Sequence, residues 1–279
     1  MFQYAAARSL ALRHRTSLSL DLAAYDRPGR FAVGRPYELD RLNISICPAK
    51  HRADLAFLLA RRSSPLLHSL SGWQPFRERS LAYDSAVVEL PNGTYLFGYW
   101  QSWRYFSDTS AEICADFQPK VPMAARNRSM EERMMNGNSV FIHVRRGDYV
   151  ESAEANAFHG VIGFDYYRKA TRIIQERFAG LKAFVFSDDL KWCREAFAPL
   201  GLDLTIIDWN RAHDSWQDMF LMAACNHGVI ANSSFSWWGA WLGDQGANPG
   251  NRVVVAPRLW FAGSEASMQD RCPPIWTTI

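Results

Sequence analysis

Two segments carry side chains suited to holding an anion, FIHVRRGDY at 141–149 and IANSSFSWWGAWL at 230–242. In the first, a β-type apolar run ends directly in Arg145 and Arg146, whose planar forks of N–H donors match the oxygens of a phosphate. In the second, Asn232, Ser233, Ser234 and Ser236 open a helical stretch, where unpaired backbone N–H groups and the positive end of the helix dipole receive negative charge. The two designs together suggest a diphosphate held from two sides.

Each of these residues also has a plainer reading. Arg145 and Arg146 could serve as ion-pair partners of Asp148, although two adjacent arginines after a buried strand are costly without an anionic ligand. His143, on the apolar strand, reads either as a satisfied core histidine or as a site residue. Asp188 and Asp189 follow the run FVFS, where one can cap the next helix and leave its neighbour to accept from a ribose or a base. The serines can be simple helix caps, a use compatible with phosphate binding at the same helix start. Trp237, Trp238 and Trp241 follow helical spacing and read as core.

The elements that must position these groups are clearest in the second half. SVFIHVR, KAFVFS, DLTIID, HGVIA and RVVVA are short β-branched runs separated by helical stretches such as GFDYYRKATRIIQERF and SWQDMFLMAAC. Five strands alternating with helices predict a parallel sheet with right-handed crossovers, a Rossmann-like layer. Ligands gather at the carboxyl ends of such strands, and Arg145, Arg146, Asp188, Asp189, Asn232 and Ser233 all follow strands directly.

The first half is less regular. A helix opens the chain, SLSLDL at 17–22 reads as a strand, and DRPGRFAVGRP at 26–36 as a long loop. HRADLAFLLARR at 51–62 has the pattern of an amphipathic helix, 87–100 that of a hairpin turning at Pro91 to Gly93, and SAEICADF that of another helix. The polar stretch 124–139 has linker composition with some helical character. This places a domain boundary between an N-terminal domain, 1–136, and a C-terminal nucleotide-binding domain, 137–279.

Composition narrows the class. The chain has 279 residues, 48% of them hydrophobic, and a net charge of only +3, enough for a sizeable core but no field that announces nucleic acid. No apolar run approaches the roughly 20 residues needed to cross a bilayer. Cys47, Cys114, Cys193, Cys225 and Cys272 are odd in number and scattered, which favours reduced thiols over a disulfide framework or a zinc site. Sequons at Asn43, Asn92, Asn127 and Asn232 read as chance matches, and the N-terminus lacks a signal-peptide layout. A cytoplasmic protein, or one peripheral at the inner membrane face, is expected.

HVRRGDY at 143–149, FSDD at 186–189, DMFLMAAC at 218–225 and ANSSFSWWGAWL at 231–242 resemble the signature blocks of glycosyltransferase family 11, the α-1,2-fucosyltransferases. GYWQSWRYF at 98–106, RPYELDRLNI at 35–44, APRLWF and CPPIW extend the resemblance over nearly the whole chain. It implies an α/β, GT-B-like architecture in which two Rossmann-like domains face a cleft. It also implies GDP-β-L-fucose as co-substrate, a galactose-containing acceptor modified at its 2-hydroxyl with inversion, and no required metal or other cofactor. Under it Arg145, with Arg146, stabilises the leaving diphosphate and Asp148 orients the arginines. His143 and Asp188 or Asp189 become candidates for guanosine contacts, and Asn232 to Ser236 for the diphosphate. The family's opening block resembles GGLGNQMFQYA, whereas this sequence starts at MFQYA. A missing first strand and glycine loop are therefore expected, with an impaired GDP-sugar or glycan-binding protein as the alternative reading.

Overall fold

The computed structural model describes residues 1–22, 25, 36–46, 74–147, 150, 156–157, 160–246, 251–261 and 270–279. The chain divides into two compact units, Met1–Val121 with Gln269–Arg271, and Pro122–Met268 with Cys272–Ile279. The division falls earlier than the 136/137 boundary drawn from composition. Residues 125–135, polar but helical, belong to the second unit because their buried side chains, Asn127, Met130 and Met134, pack there.

In the first unit, helix α1 (Phe2–Arg13) buries Phe2, Tyr4, Ala5, Ala6 and Leu10. It meets α2 (Ser110–Asp116) through Asp116, which accepts from Tyr4 Oη at 2.6 Å and from Arg8 Nε at 2.8 Å. A carboxylate at a helix C-terminus opposes the dipole, and these two donors offset that cost. Strands β1 (Gln74–Arg77) and β2 (Thr94–Phe97) pair in parallel. The hairpin expected over 87–100 does not form. Residues Ser85–Glu89 wind instead into a 3-10 turn started by Asp84, whose carboxylate accepts from Ala86 N at 3.0 Å, and β2 finds its partner in β1. Residues 17–22 form no strand. The loop at 26–35 and the helix at 51–62 lie outside the described residues.

The second unit carries the Rossmann-like layer. Helix α3 (Ala125–Met135) leads into β3 (Ser139–Val144), which is buried at every position. Then follow α4 (Phe164–Gln175), β4 (Lys182–Ser187), α5 (Leu190–Phe197) and β5 (Asp203–Ile207). Next come α6 (Trp216–Ala224), β6 (His227–Val229), α7 (Ser234–Asp244), β7 (Val254–Ala256) and β8 (Thr277–Thr278). The sheet order is β5-β4-β3-β6-β7-β8, with every pair parallel. The five expected strands are present. The sixth is two residues long and adds to the edge through Ile279 N and Ala256 O at 3.1 Å, too short to show any periodicity in the sequence.

Strand alternation divides the core. Val140, Ile142 and Val144 of β3, with Ala183 and Val185 of β4, pack against Tyr167, Ala170 and Ile174 of α4 and Cys193 and Phe197 of α5. Phe141 and His143 point the other way. Strands are added outward from β3 to β5 and then, from β6, on the other side of β3, so right-handed crossovers put α6 and α7 on that opposite face. The two helices approach closely at Gly239, where a Cβ would stand 2.9 Å from Met222 Cβ, so only glycine permits this packing.

Candidate functional site

The strand order reverses between β3 and β6, the place where a doubly wound sheet opens a crevice at its carboxyl edge. Arg145 and Arg146 leave the end of β3 there, and the turn into α7 leaves the end of β6 beside it, since β3 and β6 pair from Val140↔His227 to Ile142↔Val229. One strand over, Asp188 and Asp189 leave β4.

These four residues form a lattice of charge. Arg145 Nη1 lies 2.9 Å from Asp188 Oδ2, and Asp188 Oδ1 accepts from the Arg146 backbone N at 2.8 Å. Arg146 Nε reaches Asp189 Oδ2 at 3.2 Å, while its guanidinium stacks over the Trp192 ring at 4.4 Å. The other oxygen of Asp189 caps α5 by accepting from Trp192 N at 3.1 Å. Capping by one aspartate therefore holds as read from the sequence. Its neighbour is engaged as well, because Asp188 ties both arginines. Gly147 completes the turn, where a Cβ would come within 3.0 Å of Asp188 Oδ2. Asp148 lies outside the described residues.

At the start of α7, Ser233 is the N-cap, its hydroxyl accepting from Phe235 N at 3.4 Å. Ser236 is fully buried and donates to Ser233 O at 3.3 Å, whereas Ser234 is exposed at the first helical position. Asn232 is buried at 2% and donates to Gly160 O at 3.2 Å and Trp260 O at 3.4 Å, binding three loops of this edge together. His143 is buried and packs against Phe235, ring centroids 5.9 Å apart. Burial, and secondarily the charge of Arg145, push its pKa down to about 3, so it is a neutral ring at physiological pH. The structure thus brings His143, Arg145 and the α7 start to adjacent strand ends.

A second polar cluster was not legible in the sequence. Asn127, fully buried on α3, joins Trp209 and Asn210, which follow β5, to Gln217 and Asp218 in the first turn of α6. Burial raises the Asp218 carboxyl to about 7, against the opposing hydrogen bond from Asn210. Asn127 stood only in a sequon read as chance and Asp218 only at the start of the 218–225 block, and no local pattern ties the two together. Burial of Asn127 and Asn232 supports reading their sequons as chance.

Comparison with known proteins decides the family. The sequence model of Glycosyl transferase family 11 matches residues 78–279. The chain belongs to this family. An alpha-1,2-colitosyltransferase of Escherichia coli is 33% identical over all of this chain and 94% of its own length. The O-antigen biosynthesis glycosyltransferase WbnK, also of Escherichia coli, is 31% identical over 96% of this chain and 93% of its own. A galactoside alpha-(1,2)-fucosyltransferase 1 of Alouatta caraya is 28% identical over 71% of this chain and 56% of its own. The crystal structure of fucosyltransferase NodZ from Bradyrhizobium superposes with a TM-score of 0.47 at 16% identity, covering 86% of this chain and 87% of that one.

The family 11 chain is an enzyme of glycosyl transfer, and several of its named segments fall in the second unit described above. The first unit holds a separate cavity of about 500 Å³ lined in part by Tyr37, Tyr95 and Trp100. It is lined by parts of the 35–44 and 98–106 segments, and by none of the candidate site residues read from the sequence. Among the described residues no helix is long and apolar enough to cross a membrane.

Proposed function

We propose that this family 11 enzyme moves L-fucose from GDP-β-L-fucose to the 2-hydroxyl of a galactoside in a glycan or surface polysaccharide, with inversion at the anomeric carbon. The observation that carries the reading is the placement of two arginines at the end of central strand β3, beside a serine-capped helix start, at the reversal point of the sheet.

In this reading Arg145 aims its guanidinium at the β-phosphate. As the glycosidic bond breaks, negative charge grows on that phosphate while the sugar carbon becomes oxocarbenium-like, so a fixed cation there favours the transition state over the ground state. Arg146, held between Asp189 and Trp192, braces the turn. The free N–H groups of the α7 first turn and the Ser234 hydroxyl receive the diphosphate. Asn232, Ser233 and Ser236 shape that turn from within. Asp188 and Asp189 set the arginines and the ribose edge, neutral His143 lies beneath the guanosine, and Asp148 orients the arginine turn. The protein's own cations meet the diphosphate, which is why no metal is part of the proposal.

The family relatives named for colitosyl and fucosyl transfer favour a deoxyhexose donor and a glycan acceptor. The 33% relative makes a colitosyl donor the competing reading. Transfer from GDP-fucose and GDP-colitose to a panel of β-galactosides, with linkage read by NMR, tests both. Fucose on O2 with α configuration supports the proposal; transfer of colitose alone, or linkage at another hydroxyl, overturns it.

A further inference from the structure

Asn127 is completely buried, on the first turn of α3, yet it is surrounded by polar partners. Its amide nitrogen donates to Asn210 Oδ1 at 2.8 Å and Gln217 Oε1 at 2.7 Å. Its oxygen accepts from Trp209 Nε1 at 2.6 Å and Asn210 Nδ2 at 3.1 Å. A side-chain amide has two donors and two acceptor lone pairs, and Asn127 uses them all. The surrounding groups are also satisfied, since Gln217 Oε1 takes the Ala124 N–H at 2.7 Å and Asn210 Nδ2 reaches Asp218 Oδ1 at 2.6 Å.

Apolar side chains would fill this junction without desolvating amides. What the polar network adds is direction, because each amide fixes its neighbour's rotation, and a fully satisfied network holds one arrangement. The arrangement it holds is that of Trp209 and Asn210, with the Trp209 ring further clamped by the Arg126 guanidinium at 3.7 Å. These residues leave the carboxyl end of β5, the same edge of the sheet as the arginine turn. β5 stands two strands from β3, which at about 4.8 Å per strand places its end roughly 10 Å along the edge. That is the reach from a diphosphate to the base of the same nucleotide.

We propose that Asn127 is a positioning residue that holds the 208–210 segment in shape to receive the nucleoside end of the donor. The proposal rests on the reading that the second unit binds a nucleotide sugar. It acts through Trp209 and Asn210, and Asn127 itself does not touch the ligand.

The test uses the full chain and two variants, Asn127→Ala and Trp209→Phe, with binding of GDP, UDP and ADP measured by calorimetry and donor KM and kcat measured separately. Expected are GDP dissociation constants and donor KM values raised about tenfold or more, the scale of one lost oriented hydrogen bond, with kcat changed less than about threefold. Thermal melts establish that the variants are folded at the assay temperature. Should Asn127→Ala fail to fold, Trp209→Phe carries the test alone, since it keeps the ring and deletes one donor. Folded variants with a lowered melting temperature but unaltered GDP affinity and KM would reduce the network to a structural one and overturn the proposal. If the unaltered chain binds none of the nucleotides, the nucleotide-sugar reading fails first and this proposal with it. If it binds one and the variants bind it equally, only this proposal fails.

Discussion

Asp188 receives Arg145 on one carboxylate oxygen and the Arg146 backbone N–H on the other, at 2.9 and 2.8 Å. One aspartate at the end of β4 thereby fixes both the side chain of the first arginine and the backbone of the second. The geometry separates the two arginines chemically. Arg145 pairs through Nη1 with a partly exposed carboxylate, whereas Arg146 is closed between Asp189 and the Trp192 ring.

Arg145→Ala should therefore lower kcat by about two to three orders of magnitude, the usual scale for losing a cation or donor aimed at developing charge, with the thermal melt little changed. Arg146→Ala should do the reverse, lowering the melting temperature through loss of the Trp192 and Asp189 contacts and reducing kcat less. Steady-state kinetics with parallel calorimetric melts distinguish the two. An Arg145→Ala enzyme with full kcat would remove that arginine from the chemistry.

Ser233 and Ser234 offer a sharper separation, because neighbours in sequence have different surroundings. Ser233 caps α7 and Ser234 is exposed just inside it. Ser233→Ala should cost about 1 kcal/mol of stability. Ser234→Ala should leave stability unaltered and weaken GDP-fucose binding. Equal donor affinity in Ser234→Ala and the unaltered enzyme would reduce that serine to a surface residue.

How much of this was visible in the sequence follows from how local each signal is. The strands of the second unit were legible because Val140, Ile142 and Val144 lie in an uninterrupted apolar run, and fully buried parallel strands read that way. The strand-end positions of Arg145 and Asp188 were legible because each directly follows its strand, and the capping position of Ser233 because it stands at the start of a helical run. The hairpin over 87–100 misled because an Asn-Gly pair between apolar runs is a strong turn signal, while the parallel partner of β2 is twenty residues upstream and invisible to local pattern. The Asn127 network is the extreme case. Its members come from α3, the end of β5 and α6, and only the folded sheet brings them together.

The buried pair Arg252 and Asp244 tests the packing of α6 against α7. Arg252 Nε lies 3.2 Å from Asp244 Oδ1, and its side chain and that of Asp244 are 6% and 7% exposed. Arg252 Nη1 also donates to the Cys225 and Ala223 carbonyls at the end of α6, and Trp276 Nε1 donates to Asp244 Oδ2 at 2.6 Å. Burial pushes the Asp244 carboxyl up and the Arg252 guanidinium down, each opposed by its partner. Asp244→Ala strands the arginine and should cost about 3–5 kcal/mol in urea unfolding. The double variant Asp244→Leu with Arg252→Met should recover much of that loss, since it removes the buried charge altogether. A double variant as unstable as the single one would contradict this account of the pair.

The pH dependence of stability should carry two opposed contributions from the second unit. Asp218 is raised to about 7 in the folded state, against roughly 3.9 unfolded. Its contribution is fully present below about pH 4 and is lost as pH rises to about 7, because the unfolded chain gives up a proton that the folded chain keeps. His143 is lowered to about 3, against roughly 6.5 unfolded. Its contribution is fully present above about pH 6.5 and is lost as pH falls toward 3, because only the unfolded chain takes up the proton. Between about pH 4.5 and 6 the two slopes oppose, each approaching about 1.4 kcal/mol per pH unit at most. Asp218→Asn should leave the histidine term exposed, so that the urea midpoint rises more steeply with pH than in the unaltered chain. His143→Phe should leave the aspartate term, so that the midpoint shifts toward falling with pH. Unfolding series at pH 4.5, 5.25 and 6 measure both slopes, and parallel profiles in all three proteins would show that neither group titrates as its surroundings require.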